Sequence, residues 1–304
     1  MKRFVARAAG VVVALLLAAA AAHAGDQLYL WEAKGRGGSV HLFGSIHLCR
    51  ADCFPLPEAV TSALDRADFF ALELDPAKPG LQEELLLRSL YADGDGLDRH
   101  LPGPLVQDLK ETAARLGLPP DALLKMKPWM ASTTLTLLSA MQAGYSADQG
   151  IDMQLLERAR AQKKTVVELE SVEQQVNSLD GLAAAEQELL VAQALRLAAG
   201  DGVTRYVDDM VQAWRGGDPE QLYRLSQSGL DDAAASERLL RSLLIERNRA
   251  MSQRIMRLMA TQRPGFVVIG ALHLAGRDSV LEQLKAAGFQ VRQVAASGSA
   301  PAQK

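Results

Sequence analysis

Two apolar runs of this chain end in the same short string, Gly44-Ser-Ile-His47-Leu48 and Gly270-Ala-Leu-His273-Leu274. The runs themselves, Val40-His-Leu-Phe43 and Gly265-Phe-Val-Val-Ile269, have the length and the β-branched and aromatic content of strands. Each histidine is therefore expected just past the C-terminal end of a strand, the edge of an open α/β sheet where ligands bind. The glycine ahead of it lets the chain turn and leaves space beside the imidazole. A third match, Gly38-Ser-Val-His41-Leu42, puts His41 inside a strand, where it packs or faces solvent. His23 lies in the leader described below, and His100 sits in a loop beside Pro102 with no partner in view. Position selects His47 and His273.

Carboxylates occupy equivalent places on two other strands. The run Phe69-Phe-Ala-Leu-Glu-Leu74 carries Glu73 near its end, in surroundings so apolar that an acid is costly unless paired. The run Thr165-Val-Val-Glu-Leu169 is flanked at its end by Glu168 and Glu170. Alternation along a strand puts these two on one side, so parity does not choose between them. Singly, each acid reads as a cap or a salt-bridge partner. Two histidines and two glutamates at strand ends together fit a divalent-metal site with a spare acid.

The remaining pattern places these ends in one sheet. Residues 28–48 read as a hairpin around the turn Lys34-Gly-Arg-Gly-Gly38, and residues 57–68 as a helix. Residues 280–287 read as a short helix and residues 289–294 as a last strand. Strands alternating with helices predict an α/β fold with a mixed, partly parallel sheet. Residues 182–261 are almost purely helical and form a large helical insertion. In the expected helix over residues 231–261, Leu240, Leu244, Met251 and Ile255 make an inward stripe. Asn248 lies on that stripe and Arg247 at its edge, so the pair reads either as a satisfied core asparagine with a snorkelling arginine or as residues that orient the site or bind substrate. No P-loop, G-x-S-x-G elbow, H-E-x-x-H or paired C-x-x-C is present to offer another chemistry.

Residues 1–24 have the form of a secretory signal. Lys2, Arg3 and Arg7 precede 15 uninterrupted Ala, Gly, Val and Leu residues, and Ala22-His23-Ala24 supplies a cleavage site before Gly25. Such a run is short of the roughly 20 residues a spanning helix needs. No stable membrane span is expected in the mature chain, residues 25–304, of which 25–296 form the domain and 297–304 a polar, disordered tail. Localisation is therefore expected to be periplasmic or secreted. The full chain of 304 residues is 48% hydrophobic and 23% charged, which suits a globular domain. Its net charge of -3 becomes more acidic once the basic leader is removed, so nucleic acid is not an expected partner. In an oxidising compartment Cys49 and Cys53 are expected to pair, across a turn favoured by Asp52, Pro55 and Pro57.

The ensemble of short motifs resembles the TraB/GumN family, relatives of the Tiki metalloproteases. The resemblance runs through Leu28-Tyr-Leu-Trp, Phe43-Gly-Ser-Ile-His-Leu48, Phe54-Pro-Leu-Pro57, Ala71-Leu-Glu-Leu-Asp75 and Lys127-Pro-Trp129. It continues through Gly150-Ile-Asp152, Glu168-Leu-Glu-Ser171, Glu246-Arg-Asn248 and Val268-Ile-Gly-Ala-Leu-His-Leu-Ala-Gly276. It implies a fold related to the erythromycin-esterase and ChaN-like group, and metal-dependent hydrolysis with peptides or proteins as substrates. Carried over by position, it implies His47, Glu73 and His273 as ligands of a divalent ion (Mn, Co or Zn). It selects Glu170 rather than Glu168 as the catalytic base. The resulting expectation is an exported metal-dependent hydrolase of peptidase type. The alternative is a non-catalytic protein that sequesters peptides in the same cleft.

Overall fold

The computed structural model describes residues 27–228 and 232–296. The expected signal segment, residues 1–24, and the polar tail, residues 297–304, lie outside the described residues.

The chain opens with the hairpin β1 (Gln27–Gly35) and β2 (Gly38–Ser45), then α1 (Glu58–Asp65) and β3 (Phe69–Leu72). Helices α2 (Leu81–Ser89), α3 (Gly103–Arg115), α4 (Pro128–Gln142) and α5 (Ile151–Ala161) lead to β4 (Thr165–Glu168). Then follow α6 (Val172–Asp180), α7 (Ala184–Leu197), α8 (Gly202–Arg215), α9 (Pro219–Ser226), α10 (Ala233–Leu240) and α11 (Glu246–Met259). The sheet resumes with β5 (Gly265–Gly270), and α12 (Val280–Ala286) and β6 (Gln290–Ala295) close the fold.

The six strands lie in the order β4-β3-β5-β2-β1-β6. β4, β3, β5 and β2 run parallel, whereas β1 is antiparallel to both β2 and β6. The fold is thus the mixed α/β sheet expected. Its parallel part is read from continuous apolar runs because helices cover those strands: every residue of β3 is buried, as is β5 up to Ile269. Helix α1 packs on β2 and β5, α5 on β3 and β4, and α11 on β2. Phe43, Phe70 and Phe266 stack across three adjacent strands in the centre of this core.

Register brings the strand ends level. Ser45 pairs with Gly270, Leu72 with Val268, and Leu72 with Glu168. β3 ends at Leu72, two residues short of the expected strand, so Glu73 stands just beyond it. The same holds on β4, which ends at Glu168. Alternation stops there, and Glu168 and Glu170 part company: the turn after β4 is continued by α6, whose capping box joins Ser171 and Gln174.

The three G-x-x-H glycines have three different reasons. Gly38 takes φ 133° at the hairpin turn, a backbone state that favours glycine. At Gly44 a side chain would collide with the ring of Tyr29. At Gly270 it would intrude among the cleft side chains described next. His41 is half-buried beside Glu32 on β1. His100 proves to have partners, stacking on Tyr91 and bonding Asp95 at 3.0 Å, a local contact between a loop and a short helical turn that sequence spacing does not display.

The single helix expected over residues 231–261 is interrupted by a π turn at Arg241–Ile245. The extra residue per turn shifts the register of the stripe. Asn248, Met251 and Ile255 are buried as expected, but Leu240 and Leu244 are only half-buried. No helix among the described residues is long and apolar enough to cross a membrane.

Candidate active-site cleft

At the C-terminal edge of the parallel strands a cleft of about 390 Å³ is lined by Ser45, His47, Glu73, Arg247, Gly270 and His273, among others. Three of these converge on one point. A Cβ placed on Gly270 would lie 3.2 Å from Glu73 Oε1, 3.5 Å from His47 Nε2 and 3.6 Å from His273 Cδ2. Chain segments more than 200 residues apart in sequence meet there because β2 and β5 are neighbours in the sheet.

Both imidazoles are held through Nδ1. His273 Nδ1 stands 2.6 Å from Asn248 Oδ1, and Asn248 Nδ2 in turn donates to the Asp278 carbonyl at 2.9 Å. An amide oxygen only accepts, so Nδ1 carries the hydrogen and the Nε2 lone pair of His273 is left for the cleft. Burial opposes charge on this imidazole more than Glu73 favours it, and its pKa is held at about 4, so the ring is neutral at pH 7. His47 differs. Its side chain is 61% exposed on the rim, and its Nδ1 donates to Asp152 Oδ2 at 3.1 Å. Desolvation opposes charge there too, but the Asp152 contact outweighs it and raises His47 to about 9. The other oxygen of Asp152, Oδ1, is buried without a protein partner.

The carboxylates are tied together by Arg247. Its Nη2 donates to Glu73 Oε2 at 2.7 Å and to Glu170 Oε2 at 2.6 Å, and its Nε to Glu170 Oε1 at 2.9 Å. Gln175 donates to both acids, at 3.2 and 3.1 Å. Glu73 Oε1 also accepts the Gly270 amide at 2.6 Å. Burial raises the Glu73 pKa, but His273, Arg247, His47 and that amide together hold it at about 2. Glu73 is therefore ionised. Glu170 does not line the main cleft: it opens on a neighbouring hollow of about 400 Å³ and meets the cleft through Arg247. Glu168 points elsewhere, accepting from Lys78 Nζ at 2.7 Å and the Asp75 amide at 3.1 Å.

Among the described residues, no three His, Cys, Asp or Glu side chains are gathered closely enough to ligate one ion directly. Two of the donors nevertheless stand within the span that one ion could bridge. Two donors each about 2 Å from a shared ion stand no more than about 4 Å apart, and His273 Nε2 lies 3.8 Å from Glu73 Oε1. The bare α-carbon of Gly270 leaves the space between them open, and each imidazole has its far nitrogen anchored.

Spacing alone brought out His47, Glu73, His273, Arg247 and Asn248, and the fold assembles all five at one edge. Asp152 and Gln175 went without a role. Asp152 belongs to the family string Gly150-Ile-Asp152, but it sits in the first turn of α5, where acids are common on helix-dipole grounds alone, so nothing local gives it a role. Beyond the rim, Cys49 and Cys53 are paired, with Cα atoms 6.3 Å apart. That loop is tied down by a bridge between Cys49 and Ser146 and by Arg215, which donates to the Asp52 carbonyl at 2.7 Å.

Fold and cleft together define an α/β protein with a histidine- and glutamate-lined site at the C-terminal edge of a mixed sheet. The TraB/PrgY/gumN family profile matches residues 29–293, and the chain belongs to this family. It is 28% identical over 250 residues to the uncharacterized protein YbaP of Escherichia coli, covering 81% of this chain and 87% of YbaP. It is 22% identical over 322 residues to metalloprotease TIKI1 of Xenopus tropicalis, and 26% identical over 298 residues to metalloprotease TIKI2 of Danio rerio. These matches cover 89% and 83% of this chain but only 62% and 57% of the two metalloproteases. No solved structure matches the chain.

Proposed function

We propose that the mature protein is an exported, divalent-metal-dependent hydrolase of peptides. The observation that carries this reading is the convergence of His47 Nε2, Glu73 Oε1 and His273 on the open face of Gly270, with both imidazoles anchored through Nδ1. His47, Glu73 and His273 would hold the ion. When bound, a divalent ion supplies Lewis acidity and lowers the pKa of water toward neutrality. Asn248 keeps His273 in the tautomer that offers Nε2. Asp152 orients His47 and favours its charged form, so an ion held there would compete with a proton for His47. Arg247, facing the cleft, can donate to a substrate carbonyl or carboxylate.

Glu170 would accept the proton in catalysis. Because Arg247 stands between it and the cleft, one guanidinium contact must be released for it to do so. The same geometry favours a second assignment, in which Glu170 is a positioning residue that holds Arg247 against Glu73. Glu170→Gln separates the two: a lost base lowers kcat with the ion retained and the acidic limb of the pH profile gone, whereas a lost anchor raises KM.

Export is supported by the leader over residues 1–24 and by the Cys49–Cys53 pair, which suits an oxidising compartment. An intact mass beginning at Gly25 is expected of the exported protein.

The experiment is metal analysis of the purified mature chain, followed by incubation with Mn²⁺, Co²⁺ or Zn²⁺ and a broad peptide library. Chelator-sensitive cleavage is expected, and His47→Ala and His273→Ala lose both the ion and activity. Peptide binding with no chelator-sensitive cleavage would instead assign a sequestering protein. The buried Arg247–carboxylate cluster favours that second reading, since it leaves the cleft polar and ordered without any ion.

A further inference from the structure

Beyond His47 the cleft continues. A second cavity of about 430 Å³ lies between α4 and α7, and His47 and Leu179 line both chambers. Its walls include Trp129, Leu137, Leu190 and Leu197, and among the described residues lining it His47 is the one ionisable group. Two of its hydroxyls are already spent on their own helix: Ser132 donates to the Pro128 carbonyl and Thr133 to the Trp129 carbonyl, both at 2.8 Å. Away from His47, a charged side chain entering this cavity would lose its hydration with only the neutral Thr136 and Gln193 side chains to replace it. An apolar one would gain by burial.

The chamber on the other side of His47 has the same character away from the functional groups. Met210, Leu222, Leu243, Leu244 and Leu272 line it. The half-buried state of Leu244 follows from the π turn at Arg241–Ile245, which brings that side chain to the cleft rather than into the core.

We infer that this double chamber is a specificity device for extended peptides. One bulky apolar side chain beside the scissile bond seats between α4 and α7, and a second seats against Leu243, Leu244 and Leu272. The inference rests on the reading of the cleft as a peptide site, and it adds the class of peptide selected. His47 and Leu179 form the waist across which the backbone passes.

The test uses the mature full-length protein and does not depend on turnover. Affinity is measured by Trp129-sensitive fluorescence and calorimetry for a peptide with a reduced, uncleavable central bond flanked by Leu and Phe. The comparison is the same peptide with Asp or Lys at those two places, with and without Mn²⁺. The apolar peptide is expected to bind roughly 10- to 100-fold tighter, the range set by burying one such side chain. Leu137→Asp should erase the preference, and Thr136→Trp, which fills the cavity, should weaken the Leu/Phe peptide while sparing one with Ala at both places. Circular dichroism checks that each variant is folded, and the wild-type comparison stands if either is not. Equal affinity for apolar and charged peptides overturns the inference, as does tight binding of a long-chain fatty acid with no peptide preference. Apolar preference here, alongside no chelator-sensitive cleavage of the peptide library, keeps the subsite and overturns the hydrolase reading instead.

Discussion

Arg247 grips Glu170 through two parallel hydrogen bonds, Nε to Oε1 at 2.9 Å and Nη2 to Oε2 at 2.6 Å, while the Glu170 side chain is only 1% exposed. Glu73, 14% exposed, shares the same Nη2. Two buried acids thus share one cation. Removing it takes the guanidinium from both acids at once and leaves them only neutral donors such as Gln175 in its place, whereas removing one acid leaves a matched pair. Arg247→Met should therefore destabilise the fold by about 3–5 kcal/mol in urea denaturation. Arg247→Lys should recover only part, since an ammonium lacks the planar fork.

Gly270→Ala should separate stability from ion retention. The backbone at Gly270 has φ -51°, which any residue adopts, so no conformational penalty attends the change. The new methyl would sit 3.2 Å from Glu73 Oε1 and 3.5 Å from His47 Nε2. A stability loss within about 1 kcal/mol is expected by thermal melting, together with a loss of Mn²⁺ or Zn²⁺ affinity of at least about tenfold by calorimetry. Gly44→Ala is the control: the Tyr29 ring blocks its methyl, so about 1–3 kcal/mol of stability should be lost.

Asp152→Asn and Asn248→Ala act behind the two histidines. Without the Asp152 carboxylate, the His47 pKa should fall from about 9 toward its ordinary 6.5, read by NMR titration of the ring. Without the Asn248 oxygen, the His273 ring loses its tautomeric anchor. Each change should weaken divalent-ion binding by roughly 10- to 100-fold with the ligands themselves intact. Unchanged affinity in both variants would remove these residues from the site.

Stability of the metal-free protein should peak near pH 6.5. His273 has its pKa depressed from 6.5 to about 4 and Glu73 from 4.5 to about 2. Both depressed groups contribute stability that is complete above the unfolded value and lost as pH falls, over 6.5 to 4 for His273 and 4.5 to 2 for Glu73. His47 is raised, so its contribution is complete below 6.5 and lost as pH rises through about 9. Exposure of the His47 ring makes the alkaline side the shallower one. Melting temperatures across pH 3–10 check the shape, and a maximum at or above pH 9 would contradict it.

How far the sequence reached is clearest at Glu168 and Glu170. Strand alternation could not separate them, because it assumed that the strand continued to Leu169. Regular pairing ends at Glu168, although the Leu169 and Glu170 amides still donate to the Leu72 and Glu73 carbonyls, and Glu170 faces Arg247 while Glu168 goes to Lys78 at the surface. Where a strand stops depends on its partner's length, a tertiary property. Asp152, present in the family string Gly150-Ile-Asp152, carried no role for a related reason: an acid in a helix's first turn is ordinary until the fold brings His47 beside it.

By itself the sequence determined the strands, since continuous apolar runs such as Phe69-Phe-Ala-Leu72 and Phe266-Val-Val-Ile269 can satisfy both backbone and side chains only inside a covered sheet. It also determined which side chains wait at the strand ends, because G-x-x-H follows such a run twice. Only the tertiary structure decided how they meet. Placing β5 between β3 and β2 brings His47, Glu73 and His273 around one α-carbon, and the π turn before Glu246 delivers Arg247 to both acids. Contacts between residues far apart in the chain depend on strand order and helix register, and local propensity carries information about neither.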